Sequence, residues 1–88
     1  MVSYSIGLTR SAERDLRRIH KSHIVVLIRR IKTLGQVPRP SGLILLHGQE
    51  RYYRIRQGDY RIVYEVDDLR RSVTVIKIGH RREIYTDR

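Results

Sequence analysis

The sequence predicts an α+β fold of order β-α-α-β-β-β, with two N-terminal helices packed on one face of a small, mostly antiparallel sheet. Three observations predict it. Residues 2–8 alternate apolar with small side chains, the period-two pattern of a half-buried strand. Residues 9–34 carry apolar side chains at helical spacing, interrupted once near His20. From Arg51 onward, β-branched and tyrosine-rich runs are separated by turn residues.

At 88 residues the chain is expected to form one domain, 1–88, around a modest single core. Its 19 lysines and arginines face 9 acidic residues, a formal charge of +10, and 16 of those cations are arginine. That balance favours nucleic acid, an acidic protein or an anionic membrane surface as partner. Arginine in particular suits bidentate phosphate contacts and stacking. A basic surface also aids solubility, but its self-repulsion weakens a lone small domain, and an acidic partner or an RNA would relieve it. Without cysteine, disulfides and thiolate metal sites are excluded, and a reducing compartment is expected. No apolar run approaches the ~20 residues of a membrane span, and the first residues lack the order of a signal peptide. A cytoplasmic protein is expected.

In the first strand Val2, Tyr4, Ile6 and Leu8 share one face, and Ser3, Ser5 and Gly7 the other. Thr9 is placed as the N-cap of a helix carrying Ala12, Leu16 and Ile19, with Arg10, Arg14, Arg17 and Arg18 on its remaining faces. Ser22 is placed to cap a second helix with the stripe Ile24, Leu27, Ile28, Ile31 and Leu34, and Gly35 follows as the stop. The short break at 20–22 joins the two as an antiparallel helical hairpin. Residues 36–42, with Pro38 and Pro40, form an ordered connection, and Leu43 to Leu46 is a short strand or an extended lead-in.

The stretch RYYRIRQGDYRIVYEV, Arg51 to Val66, organises the rest. Gly58-Asp59 suits a two-residue type II′ turn, which sets Gln57 opposite Tyr60, Arg56 opposite Arg61 and Arg54 opposite Val63. Alternation then separates a core face (Tyr53, Ile55, Ile62, Tyr64, Val66) from an open cationic face (Arg54, Arg56, Arg61, Val63). Residues 67–71 turn the chain into a last strand, Val73 to Ile78. A five-residue loop pairs Tyr64 with Thr74, Ile62 with Ile76 and Arg61 with Lys77, adding Ile76 and Ile78 to the core. A four-residue loop would bury Lys77, which is costly, so the five-residue loop is expected. Continued alternation carries Arg81 to the side of Arg61 and Lys77. The closing IYTDR is too short for a further helix. Of the six tyrosines, which supply every aromatic ring, Tyr52, Tyr60 and Tyr85 are not required by the core and are available for base stacking or proton transfer.

These pieces resemble the RelE/ParE superfamily of bacterial and archaeal toxins, and within it the RelE branch. The resemblance is carried by LTRSAERDLRRI, the PRP connection, LLHGQERYYRIRQGDYRIVYEV and VIKIGHRREIY, in that order along nearly the whole chain. It implies a RelE-like fold and a ribosome-dependent endoribonuclease that cuts messenger RNA in the ribosomal A site, with no metal and no cofactor. It also implies a cognate acidic antitoxin protein as partner. Carried over residue by residue, the family's cationic catalytic positions fall on Arg54, Arg61 and Arg81, and its functional C-terminal tyrosine on Tyr85. Arg56, Lys77 and Arg82 are expected to bind RNA.

Two positions depart from the best-studied branch: Tyr52 stands where that branch has a lysine, and Arg54 itself replaces a lysine. A lysine of lowered pKa can act as a general base, whereas arginine keeps its proton. The base is therefore unassigned, with Tyr85, Lys77 and Glu83 as candidates. The expected reaction is in-line attack by the 2′-hydroxyl. Arg61 and Arg81 would stabilise the phosphorane-like state, Arg54 and Arg56 would hold the backbone, and Tyr85 would orient a base or move a proton.

Four histidines remain. His20 and His23 straddle the helix junction with no third ligand nearby, His47 suits a turn, and His80 can contact RNA, act as an acid or face solvent. Two other functions compete. A ParE-like inhibitor of DNA gyrase would share the fold but lose the cations, so Arg54, Arg61, Arg81 and Tyr85 argue against it. A degenerate toxin serving as an RNA- or antitoxin-binding module would keep the same arginines.

Overall fold

A computed structural model of the chain describes residues 3–46 and 52–84, with side chains as far as Arg82. The elements run β1 (Ser5–Leu8), α1 (Arg10–Arg17), α2 (Lys21–Thr33), β2 (Ile44–Leu45), β3 (Tyr52–Gln57), β4 (Tyr60–Asp67), β5 (Ser72–His80) and a single turn, α3 (Arg81–Ile84). The strands form one sheet in the order β1-β5-β4-β3-β2, with β1 parallel to β5 and the other neighbours antiparallel. The predicted fold class holds. The lead-in before the hairpin becomes the short edge strand β2, and α3 is a helical turn where none was expected.

Local chemistry accounts for the elements. The Thr9 hydroxyl accepts the Ala12 N–H at 3.1 Å, so α1 begins at the predicted cap. For α2 the cap moves: His20, not Ser22, holds that position, and its Nδ1 accepts the Ser22 N–H at 3.2 Å. Gly35 follows the helix end, but its usefulness is space rather than a left-handed backbone. Its carbonyl accepts the Tyr4 N–H at 2.8 Å, and a Cβ there would lie 3.0 Å from the Tyr4 carbonyl oxygen. Glycine lets the start of β1 close against the end of α2.

Both long helices cover one face of the sheet. Ala12, Leu27, Ile31 and Leu34 are buried against the five residues predicted for the core face of the hairpin, together with Val73, Val75 and Ile78. The β3–β4 register is the one the Gly58-Asp59 turn predicts, with Arg56 opposite Arg61 and Arg54 opposite Val63.

The β4–β5 register differs from the expectation. Asp67 pairs with Ser72, so the loop has four residues rather than five, and Tyr64 pairs with Val75. A bulge then displaces the ladder: Val63 faces Lys77, and Ile62 faces Ile78. The extra residue, Ile76, is half-buried instead of joining the core, and Arg61 faces Gly79 rather than Lys77. The bulge removes the objection to the short loop, because it returns Lys77 to the face away from the helices. Its cause lies at the strand's outer edge. There β1 stops pairing at Leu8, the Thr9 hydroxyl donates to the Ile76 carbonyl (3.0 Å), and the Asp15 carboxylate accepts the Ile78 N–H (2.9 Å).

Candidate functional site

The site grows from the turn between β3 and β4. Gly58 has φ +61, the left-handed value that the first loop position of a type II′ turn requires. Tyr60 pairs with His80 across β5, so the chain leaving β5 passes beside this turn. The Arg81 N–H donates to the Asp59 carbonyl at 2.7 Å, pinning α3 to the hairpin tip. The side chains meet more loosely, with Arg81 Nε 3.9 Å from Asp59 Oδ1 and both exposed. The Arg82 N–H donates to His80 Nδ1 at 3.3 Å, so that histidine presents a lone pair there.

Arg61 departs from the open placement expected of it. It is 5 % exposed, and its Nη1 donates to the carbonyls of Tyr60 (3.1 Å) and Gly58 (3.3 Å). These two bonds hold the guanidinium beside the turn. Arg56, directly across the strand pair, is exposed. Arg54 and Lys77 lie farther along the same face, both half-buried and each opposite Val63 on its own side of β4. The structure therefore gathers Arg56, Arg61, Arg81 and Arg82 around the tip and leaves Arg54 and Lys77 lower on the sheet. Arg81 reaches the tip from a helical turn, not by strand alternation. Tyr85 and the Glu83 side chain lie outside the described residues, as does His47. Among the described residues, no group of three His, Asp or Glu could hold a metal ion, and no helix is long and apolar enough to cross a membrane.

Asp59 was legible only as a turn former. Its second part, as acceptor for Arg81, follows from the Tyr60–His80 pairing, which the bulge sets.

The architecture is that of the RelE toxins. The isolated RelE toxin of E. coli matches with a TM-score of 0.79 at 26% identity, over 97% of this chain and 94% of that one. RelE in the RelE–RelB complex of Pyrococcus horikoshii matches with a TM-score of 0.79 at 25% identity, over 91% and 97%. The chain belongs to the ParE toxin family of type II toxin–antitoxin systems, whose model matches residues 6–85. It is 31% identical to the toxin RelE of Mycobacterium tuberculosis, over 93% of this chain and 86% of that protein, which puts it on the RelE side of the family.

Proposed function

We propose that this toxin is an endoribonuclease that cleaves messenger RNA in the ribosomal A site. The 2′-oxygen forms a bond to the adjacent phosphorus as the P–O5′ bond breaks. A base takes the hydroxyl proton and an acid supplies one to O5′, leaving a 2′,3′-cyclic phosphate and a 5′-hydroxyl. Negative charge builds on the non-bridging oxygens, and preorganised guanidinium groups stabilise it without reorganising. Arg61 and Arg81 take that part, Arg54 and Arg56 hold the backbone, and Lys77 and Arg82 bind flanking phosphates. The observation that carries this reading is the 2.7 Å bond from the Arg81 N–H to the Asp59 carbonyl, made at the turn onto which Arg61 also folds.

Arginine supplies charge but no base. Lys77, Tyr85 and Glu83 are the candidates, and Lys77 stands on the cationic face opposite Val63. Weak acid–base equipment suits a substrate already held for in-line attack, and a ribosome that fixes the message provides that alignment. The +10 charge also suits an acidic antitoxin with an amphipathic segment wrapped on the toxin. Complexes of related RelE chains with RelB support this kind of partner.

The test is incubation with translating ribosomes and message, mapping new 5′ ends. Arg61→Ala, Arg81→Ala and Tyr85→Ala should each lower cleavage on the order of 10²-fold. Cleavage undiminished in all three would show that the site is misassigned. The competing reading is inhibition of DNA gyrase; gyrase inhibition without message cleavage would establish it instead.

A further inference from the structure

The hairpin tip has a second side, facing α2. A cleft of about 340 Å³ opens there between His23 and Val26 of the helix and Gln57, Asp59, Tyr60 and His80 of the sheet. Its volume lies at the small end of ligand sites, roughly 300–1,000 Å³. The wall is aromatic: the Tyr60 ring contacts the His23 ring (centroids 5.5 Å apart) and stands edge-on to the His80 ring (5.8 Å). Val26 adds an apolar patch, 40% exposed, and Gln57 and Asp59, both with hydrogen-bonding side chains, are among the residues lining the same cleft.

Flat ring faces beside an amide and a carboxylate suit a flat heteroaromatic ring with donors on its edge. An aliphatic side chain entering the cleft would strip water from Asp59 and return no hydrogen bond. A nucleobase stacks on the rings and offers its amino or imino hydrogens to Asp59 and Gln57. Position adds to this. Asp59 and His80 also line the groove bearing Arg81 and Arg82, so the cleft and the cationic groove adjoin through shared residues.

We infer that this cleft receives an unpaired base of the RNA strand whose phosphate lies at Arg81, an assignment that rests on RNA being the toxin's substrate. The chain would thereby gain a base-dependent grip beside a site otherwise built of phosphate-directed cations.

The experiment measures binding of the full chain to fluorescein-labelled ten-nucleotide single-stranded RNAs, each with one abasic nucleotide at a successive position. In the native protein one position should lose about tenfold in affinity when its base is removed. His23→Ala, at an exposed residue, and Val26→Trp, which fills the cleft, should bind intact RNA about as weakly and no longer respond to the missing base. Binding that depends on Arg81 yet ignores every abasic position overturns the base site alone. Absence of RNA binding altogether, including to the ribosome-held message, overturns the nuclease reading with it. If His23→Ala weakens the antitoxin complex while RNA binding is unchanged, the cleft belongs to a protein side chain and the assignment falls.

Discussion

Arg39 and Arg81 lie at opposite ends of the sheet and differ in how fully the chain engages their guanidinium groups. Arg39, in the proline-rich connection, donates from Nη1 and Nη2 to the Asp68 carboxylate at 3.1 and 2.8 Å and from Nε to the Tyr53 hydroxyl at 2.9 Å. Its guanidinium also lies 5.3 Å from the centre of the Tyr53 ring. Arg81 makes one distant ion pair, at 3.9 Å, among the described residues. An arginine that holds the fold saturates its donors within the chain, and one meant for a phosphate keeps them available. Arg61, at the same end as Arg81, is buried and donates to the Tyr60 and Gly58 carbonyls.

Substitution should separate the two ends. Arg81→Ala should lower single-turnover cleavage on the order of 10²-fold while shifting folding stability by no more than about 0.5 kcal/mol. Denaturant titration beside the cleavage assay checks both. A large stability loss with full activity would make Arg81 another Arg39 and dissolve the contrast.

At the other end, Gly35→Ala should cost about 1–3 kcal/mol of stability. The new Cβ would meet the Tyr4 carbonyl oxygen at 3.0 Å and the Lys32 carbonyl oxygen at 3.3 Å, both backbone atoms that cannot swing aside. The folded variant should cleave message as the native protein does, because Gly35 and Tyr4 contribute nothing to the tip. A rate loss in correctly folded variant would mean that the two ends are coupled.

The two ends also differ in how far the sequence disclosed them. The β3–β4 register was legible because a two-residue glycine turn admits one pairing, and it placed Arg54, Arg56 and Arg61 on one face. The β4–β5 bulge was not, because its partners Thr9 and Asp15 lie 67 and 63 residues from the groups they satisfy. Burial of Arg61 was equally hidden, since it depends on the turn carbonyls toward which its side chain bends. Pro38 and Pro40 signalled an ordered connection, yet nothing local disclosed the pairing of Arg39 with Asp68, 29 residues away.

Arg39→Ala should reduce stability by about 1 kcal/mol, since solvent screens the ion pair and the ring contact remains partly exposed. Its pH dependence is the sharper check. The Arg39 guanidinium, with help from the Tyr4 hydroxyl, holds the Asp68 carboxyl below its ordinary value of 3.8. The contribution is therefore present above that value and is lost as pH falls through the still lower value of the folded state. Thermal midpoints of native protein and variant should differ at neutral pH and converge in acid. A difference that persists at low pH would assign Arg39's effect to the Tyr53 contact alone.

The smallest expected effect tests whether the far end tolerates change without the tip noticing. Arg71 has φ 52, the left-handed region that costs a residue with a Cβ. Its position is set by neighbours: its carbonyl accepts the Ser5 N–H at 2.9 Å, and the Asp67 carboxylate accepts the Arg70 N–H at 3.1 Å within the same loop. Arg71→Gly removes the steric cost but gives the unfolded chain more freedom. The net gain should be about 0.5 kcal/mol, read from the denaturant midpoint. Cleavage should not change, although one of the 16 arginines is gone. If cleavage falls, position on the sheet matters less than total charge, and the division between structural and functional arginines fails at its simplest case.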